Sequence, residues 1–338
     1  MSAPRGRSAG VSPADVDLSV RIGPMRLKNP VLVASGTFGY GDEYAHVLDP
    51  RRLGGVVTKT VTVEPRGGNP PRRIAETAGG MLNSIGLENV GLARFRAEKL
   101  PKLRALGATI VASVGGETAA ELERLMEALG GETGVAGFEI NFSCPNVARG
   151  GARYWAVPRR LERTVARLRR HTRGALIAKL SPDVTSVADL ARACEAGGAD
   201  AVTAVNTFVG MALDLEHMTS RLGRATGGLS GPAIKPLALA RAAETAAGVK
   251  IPVIGSGGMM NGRDALEFIA VGCHAVQIGT ATFIRPLAAL EVLDQMREFL
   301  AARGLESVAE WRGCLALGTP GSAAPAQAVA PAGAGRGR

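Results

Sequence analysis

The chain alternates short β-branched runs with segments of helical periodicity. Runs such as VVTKTV and IPVIGSGG are too apolar for strands with one solvent-facing side, so they indicate a parallel sheet covered by helices. The predicted strands are residues 30–34, 55–61, 109–114, 137–141, 175–180, 201–205, 251–256 and 275–278. The predicted helices are residues 92–106, 118–129, 161–171, 187–196, 236–247, 263–270 and 287–303.

Eight strands, each followed by a helix, predict a single (β/α)8 barrel of the TIM type. The alternative is a doubly wound sheet, which would place a G-x-G-x-x-G fingerprint after its first strand; ASGTFGYG stands there instead. Connections 62–90 and 206–229 are longer than a barrel requires and are predicted to be functional loops at the carboxyl-terminal face.

The two ends of the chain differ in composition from the barrel. We predict a flexible N-terminal extension over residues 1–16, the barrel over 17–312, and a disordered tail over 313–338. In the tail, 14 of the last 20 residues are Ala, Pro or Gly. Neither end carries an apolar run that would span a membrane, and the first residues do not resemble a signal peptide.

Composition and cysteine spacing exclude several classes of protein. With 46% hydrophobic and 21% charged residues, the chain has an ordinary globular profile. Its four cysteines are far apart, which argues against a disulfide framework, a zinc site and a four-cysteine iron–sulfur cluster. We therefore expect a reducing compartment, the cytoplasm, and no bound metal.

The net charge is +10, and much of the excess lies between residues 158 and 173. Arginines there flank Leu161, Val165 and Leu168 at helical spacing, which favours the solvated face of an amphipathic helix. No aromatic residues interleave with them, as stacking on bases would require, so we expect no nucleic acid. An anionic partner is the alternative interpretation.

Two glycine-rich motifs, GSGGM at 255–259 and IGTATF at 278–283, lie at the ends of the last two predicted strands. In a barrel this position commonly binds phosphate through backbone N–H groups; a pair of tight turns is the simpler explanation. Lys59 and Lys179 lie inside apolar strands, where a lysine needs an anionic partner. A strand lysine also suits a Schiff-base aldolase, and a strand-end lysine can simply reach water.

The motif NFSCPN at 141–146 begins at the last residue of the fourth predicted strand. Its thiol, Cys144, can act as a nucleophile or a proton acceptor, and no histidine nearby in sequence supports a Cys–His hydrolase. The carboxamides of Asn83, Asn141, Asn146 and Asn206 would suit a planar ring with alternating donors and acceptors, such as a pyrimidine. Taken singly, each is a common turn residue.

Nine sequence motifs resemble, in the same order along the chain, those of the soluble class 1 dihydroorotate dehydrogenase family. They are ASGTFG (34–39), TKTVTVEPRGGNPPRR (58–73), NSIGLEN (83–89), NFSCPNV (141–147), AKLSPDV (178–184), VNTFVGMALD (205–214), GGLSGPAIKP (227–236), PVIGSGG (252–258) and QIGTATF (277–283). The resemblance implies an FMN-containing (β/α)8 barrel that oxidises dihydroorotate to orotate, with Cys144 as the catalytic base. FMN contacts are implied for Ser35, Lys59, Thr60, Ser113, Asn141, Lys179, Val205, Gly231, Gly257, Gly258, Gly279 and Thr280. Orotate contacts are implied for Lys59, Asn83, Ser84, Ile85, Gly86, Leu87, Asn141, Asn206 and Thr207.

The resemblance also has implications for how electrons leave the catalytic chain. GGLSGPAIKP and NTFVGMALD are more similar to the NAD-linked subclass 1B than to the fumarate-using class 1A. This similarity implies a separate reductase subunit that carries FAD and a [2Fe–2S] cluster, in a heterotetramer of two catalytic and two reductase chains. Ser113 departs from the asparagine common in that subclass. Alternatives are another FMN barrel, similar to dihydropyrimidine dehydrogenase or dihydrouridine synthase, and a phosphate-binding barrel without catalysis.

Overall fold

The computed structural model describes residues 11–143 and 154–315. Eight parallel strands close into a barrel, and the last strand pairs with the first, Val276 beside Val31. We number these barrel strands 1 to 8: Val31–Val33, Gly55–Val57, Ile110–Val114, Gly137–Asn141, Ala175–Lys179, Ala201–Ala204, Val253–Ser256 and Ala275–Ile278. All eight predicted strands are confirmed, and the barrel rather than the doubly wound sheet is the fold.

Helices surround the barrel in the order that the periodicity predicts. They are Gly91–Arg94 and Leu100–Ala105 joined by the π-helical turn Phe95–Lys99, then Ala119–Leu129, Pro158–Arg169, Val187–Ala196, Lys235–Gly248, Gly262–Ala270, Ala281–Ile284, Ala288–Ala301 and Val308–Trp311. The π-helical turn ends two residues before Pro101, which cannot donate a backbone hydrogen bond and clashes with the preceding turn. None of the helices in the described ranges is both long and apolar enough to cross a membrane.

The expectation of a helix after every strand is wrong after strand 1. Only the 3-10 turns Asp42–Tyr44 and Pro50–Arg52 lie between strands 1 and 2. Gly39 and Gly41 both adopt positive φ there, and Pro50 lacks an N–H. A segment with these residues favours turns over a continuous helix.

The two long connections form a sheet that the sequence analysis missed. Its strand order is Phe208–Gly210, Gly227–Ser230, Gly80–Asn83 and Ile74–Thr77, all antiparallel, and we call it the cap sheet. The cap sheet has its own small apolar cluster, built around Ala75, Leu82 and Leu222. A further short pair, Leu213–Asp214 with Thr219–Ser220, extends from it. Each cap strand is short, and one of the two central strands reads GGLS, so the residue pattern gives little strand signal.

Residues next to both predicted boundaries of the barrel make contacts with it in the described structure. Residues 11–16, assigned to a flexible extension, include the turn Pro13–Asp15 and the buried Val16, and the next residue, Asp17, donates its N–H to the Glu306 carbonyl at 2.8 Å. At the other end, Gly313 donates its N–H to the Ile269 carbonyl at 3.0 Å. Residues 1–10 and 316–338 lie outside the described part of the chain.

A hairpin of Val20–Ile22 and Met25–Leu27 covers the amino-terminal end of the barrel. Its turn residue Gly23 lies against Asp200, which immediately precedes strand 6. Ile22 and Leu27 are fully buried. The opposite, carboxyl-terminal end of the barrel is thus the one left for a ligand.

The arginine-rich segment forms the helix Pro158–Arg169, as predicted. Leu161, Thr164, Val165 and Leu168 are buried, and the arginines lie on the outer side. Arg167 pairs with Glu123, and Arg169 pairs with Asp200 at 2.5 Å. These contacts agree with the solvated-face interpretation, and Arg159 and Arg163 of the same helix are exposed.

His274 generates a prediction about pH. It precedes strand 8, its Nδ1 atom is buried without a hydrogen-bond partner in the described structure, and burial together with the positive charge of Arg312 lowers its pKa to about 4. The unfolded chain therefore binds more protons than the folded chain between about pH 6.5 and pH 4. The stability that the neutral ring contributes should be lost as the pH falls through this window.

We expect His274→Asn to lose less stability between pH 7 and pH 4.5 than wild type, because the amide does not titrate. Urea unfolding midpoints at the two pH values measure the difference. His46→Asn, at an exposed histidine, is the matched control. An equal loss in His274→Asn and wild type would contradict the prediction.

Candidate functional site

A cavity of about 320 Å³ opens at the carboxyl-terminal rim of the barrel, beneath the cap sheet. All eight barrel strands or the residues that follow them contribute to its wall, and the cap sheet covers it. The barrel contributes Ala34–Thr37, Lys59, Thr60, Ser113, Glu139, Asn141, Lys179, Val205–Thr207, Ser256–Met260, Gln277, Gly279 and Thr280. The cap and adjoining segments contribute Ile74, Met81, Asn83, 85–88, Ser230, Gly231, Ile234 and Phe283.

The structure brings nearly all residues of the predicted site into this wall. Every residue assigned to FMN lines the cavity, as does every residue assigned to orotate except Ser84. Ser84 is buried beside the wall, where its hydroxyl and its carbonyl both accept from the Asn69 side chain. Cys144 and Asn146 lie outside the described residues, so their placement is not described.

The two strand lysines differ in their surroundings. Lys179 is buried and donates from Nζ to Gln277 Oε1 at 2.8 Å, and its Nζ is 3.8 Å from Glu139 Oε1. The Lys59 ammonium has no hydrogen bond or ion pair among the described residues, although its backbone N–H donates to the Gly39 carbonyl. The cavity wall therefore presents two lysines, and among the described residues only Lys179 lies beside a carboxylate.

Hydroxyl groups form a chain across strands 1 to 3. Ser35 Oγ lies 3.2 Å from Thr60 Oγ1, which lies 2.9 Å from Ser113 Oγ. The Ser113 N–H in turn donates to Thr58 Oγ1 at 3.1 Å. Ser113, the departure from the subclass pattern, is thus completely buried and hydrogen-bonded, and it still borders the cavity.

Carboxamides form a second polar group on the wall. Asn206 donates from Nδ2 to Asn141 Oδ1 at 3.3 Å, and its own Oδ1 accepts the Thr207 N–H at 2.8 Å. Asn83, on the cap sheet, donates from Nδ2 to the Gly228 carbonyl at 3.1 Å. These contacts orient the amides and leave other donors and acceptors for a planar polar ligand.

The glycine-rich turns after strands 7 and 8 offer free backbone donors. Within the described residues, the N–H groups of Gly257, Gly258, Gly279 and Thr280 donate to no protein acceptor. Gly258 has φ +76°, and a Cβ there would lie 2.5 Å from the Lys235 backbone nitrogen. Thr280 Oγ1 donates to Ser230 Oγ at 2.8 Å. Convergent unpaired N–H groups beside hydroxyls suit a phosphate group.

The sequence analysis missed several wall residues, of which Glu139 and Gln277 matter most chemically. A signal was present, since Glu139 stands two residues before Asn141 on strand 4, and residues two apart share one face of a strand. Ser230, Ser256 and the apolar residues Ile234, Met259, Met260 and Phe283 also went unnoticed. The two serines are the last residues of strands, and the apolar residues lie in loops and short helices, where no periodicity indicates which side faces a ligand.

Comparison with known proteins agrees with this geometry. The family model described as dihydroorotate dehydrogenase matches residues 17–300, and those residues span the barrel, its cap and the cavity wall. The chain belongs to the dihydroorotate dehydrogenase family. The family assignment accounts for the nine sequence motifs and for their order along the chain.

Curated relatives match over nearly their whole length. A protein of Trichlorobacter lovleyi is 48% identical over 298 residues, 88% of this chain and 98% of the relative. A protein of Geotalea daltonii is 46% identical over 304 residues, 90% of this chain and 100% of the relative. Both are named dihydroorotate dehydrogenase B (NAD(+)), catalytic subunit.

A solved structure supports the fold. DHODH from Eimeria tenella, in complex with ferulenol, superposes with a TM-score of 0.74 at 22% identity. The match covers 88% of each chain. At this identity the likeness concerns the barrel architecture and not the ligand.

Two glycines of the wall test the geometry of the glycine-rich turns. Gly258→Ala should lower the free energy of unfolding by about 1–3 kcal/mol, because its positive φ and the Lys235 backbone leave no room for Cβ. Gly279→Ala is the matched control, since the nearest atom to its Cβ would be 3.5 Å away and it should change stability by less than about 0.5 kcal/mol. Chemical denaturation measures both, and equal effects would contradict the described turn.

Proposed function

We propose that this chain is the catalytic subunit of an NAD-linked dihydroorotate dehydrogenase, which oxidises (S)-dihydroorotate to orotate in pyrimidine biosynthesis. The observation that carries the proposal is one cavity that combines free backbone donors, two lysines and oriented carboxamides, in a chain of this family. The names of relatives 45–48% identical support the subclass. The free thiols of Cys194 and Cys273 support a reducing compartment, and we place the reaction in the cytoplasm.

The cavity has the donor set that FMN requires. The N–H groups of Gly257, Gly258, Gly279 and Thr280 would hold its phosphate. Further FMN contacts are proposed for Ser35, Lys59, Thr60, Ser113, Asn141, Lys179, Val205 and Gly231. Bound FMN would supply a two-electron acceptor, a capacity that amino-acid side chains lack.

Dihydroorotate carries one carboxylate and a ring with alternating N–H and C=O edges. Lys59 would bind the carboxylate, since its ammonium has no counter-charge among the described residues. Asn83, Asn141 and Asn206 would bind the ring edges through their amides, next to Thr207. The cap segment Ile85, Gly86 and Leu87 would cover the substrate and exclude water, since it borders the cavity from above.

Cys144 is proposed as the catalytic base that removes the proton from C5 of the substrate, while the hydrogen at C6 leaves with two electrons. The proposal rests on its place in NFSCPN, three residues after Asn141, the last residue of strand 4. There the Ser143 N–H donates to Asn141 Oδ1 at 3.2 Å. Carboxamides and a base at the same strand end would hold the substrate ring and its C5 proton together.

Anaerobic mixing of the purified holoprotein with dihydroorotate tests the function. The protein should be yellow, and the flavin absorbance should bleach. Cys144→Ser should retain FMN and slow the bleaching about 10²-fold or more, the range of a positioned general base. Cys314→Ser, at an exposed cysteine, should bleach at the wild-type rate.

A colourless protein that takes up no FMN on reconstitution would contradict the proposed function. Wild-type bleaching in Cys144→Ser would remove only the cysteine from its role. Bleaching with another dihydropyrimidine in place of dihydroorotate would point to a different FMN barrel.

Electrons must then leave the catalytic chain. We propose a separate reductase subunit with FAD and a [2Fe–2S] cluster, in a heterotetramer of two catalytic and two reductase chains. Among the described residues, the one group that could jointly hold a metal ion is Glu123, Glu127 and His171, which contains no cysteine. The sequence also has no G-x-G-x-x-G fingerprint after its first strand. Both observations support electron transfer to NAD outside this chain.

The isolated catalytic chain should be reduced by dihydroorotate and should pass electrons to NAD poorly. Adding the reductase subunit should restore NAD reduction without changing the rate of the first half-reaction, because the substrate cavity lies within this chain. Stopped-flow absorbance of flavin and NADH measures the two steps separately. Full-speed NAD reduction by the isolated chain, or efficient use of fumarate, would contradict the partner proposal.

A further inference from the structure

A carboxylate lies on the floor of the cavity, and the reaction as proposed does not use it. Glu139, on strand 4, is 0% exposed. Its Oε2 accepts from Thr203 Oγ1 at 2.9 Å and from Gln277 Nε2. Its Oε1 is buried and has no hydrogen-bond partner in the described structure.

The unpartnered oxygen faces Lys179. The distance from Glu139 Oε1 to Lys179 Nζ is 3.8 Å, and Gln277 bridges the two side chains by accepting from the lysine and donating to the carboxylate. The strand register fixes this cluster, since Lys179 on strand 5 pairs with Asn141 on strand 4 and with Thr203 on strand 6. Four strands thus place one carboxylate behind one ammonium group.

Structural stability alone gives little reason for this arrangement. A buried ion pair is often no more stabilising than apolar residues of the same size, because both charges must be desolvated. The ammonium has three N–H groups, and among the described residues one of them has an acceptor, Gln277 Oε1. The remaining donors are available to whatever occupies the cavity.

We propose that Glu139 is a positioning residue that keeps Lys179 protonated and directed at the cavity ligand. The inference rests on the proposed function, in which that ligand is FMN. Burial alone would favour the neutral amine, and the adjacent carboxylate offsets this effect. A positive charge held beside the cofactor stabilises the negative charge that reduction adds to it.

Neutralising the carboxylate should therefore introduce a new titration. In Glu139→Gln, Lys179 would lose its proton at a lower pH than in wild type, because its counter-charge is gone. Lys59 and Glu88 are the other titratable side chains on the described cavity wall, and both are unchanged in the variant. Absence of the new titration from a Lys179→Met background would assign it to Lys179.

The experiment measures the affinity of the chain for oxidised and for reduced FMN from pH 6 to pH 9, without dihydroorotate. The ratio of the two affinities in Glu139→Gln should show one additional protonation. At pH 9, the preference of Glu139→Gln for reduced over oxidised FMN should be about tenfold smaller than that of wild type. This difference is equivalent to a midpoint potential of the bound flavin about 30 mV lower.

Matched variants separate positioning from packing. Thr203→Val removes a hydrogen bond to the same carboxylate and keeps its charge, so it should show no additional titration. In a Lys179→Met background, Glu139→Gln should change the affinity ratio no further, because the residue through which it acts is absent. Glu139→Asp, which keeps the charge but withdraws it from Lys179, should show a smaller effect in the same direction and serves if Glu139→Gln does not fold.

A wild-type pH dependence in Glu139→Gln or in Glu139→Asp would overturn the inference. An effect that persists without Lys179 would overturn it as well, because the carboxylate would then act directly. Failure of the wild-type chain to bind FMN at all would refute the proposed function. The two failures are therefore distinguishable.

Discussion

The hydrogen-bonded closure of strand 8 onto strand 1, with Val276 beside Val31, is the constraint on which the site depends. Because all eight strands are parallel, closure brings their carboxyl ends to one rim. Residues separated by more than 200 positions, such as Ser35 and Gly279, then border the same cavity. No local structure in the chain could bring them together without the barrel.

The same closure forces polar groups into a low-dielectric interior, and the structure compensates each of them differently. The Ser35, Thr60 and Ser113 hydroxyls satisfy one another in a chain. Lys179 is balanced by Glu139 and Gln277. The glycine-rich turns have no such compensation in the described part of the chain, where the N–H groups of Gly257, Gly258, Gly279 and Thr280 donate to no acceptor. Polar groups left unsatisfied within an otherwise satisfied wall are the ones that require a ligand.

The barrel was predictable from the sequence because its strands are continuous apolar runs, and such runs belong in a covered parallel sheet. The cap sheet was not, because its strands are short and its central pairing joins residues more than 100 positions apart, as in Asn83 with Gly228. The position of a residue beside a matching motif also does not fix its side chain. Ser84 belongs to the same sequence motif as Asn83. Its hydroxyl accepts a hydrogen bond from the Asn69 side chain, whereas Asn83 lines the cavity.

The cap sheet also explains why fold and specificity separate in this molecule. The barrel superposes on a structure that is only 22% identical, so its architecture tolerates wide sequence change. The cap is different: Asn83 and Ile85 come from one long connection, and Thr207 and Ser230 come from or directly follow the other. Pairing of Gly80–Asn83 with Gly227–Ser230 therefore holds the two connections at a fixed distance above the rim. In the proposed function, discrimination among planar ligands would depend on the register of that pairing, because a slip by one residue would turn the Asn83 amide to the opposite face of the cap sheet.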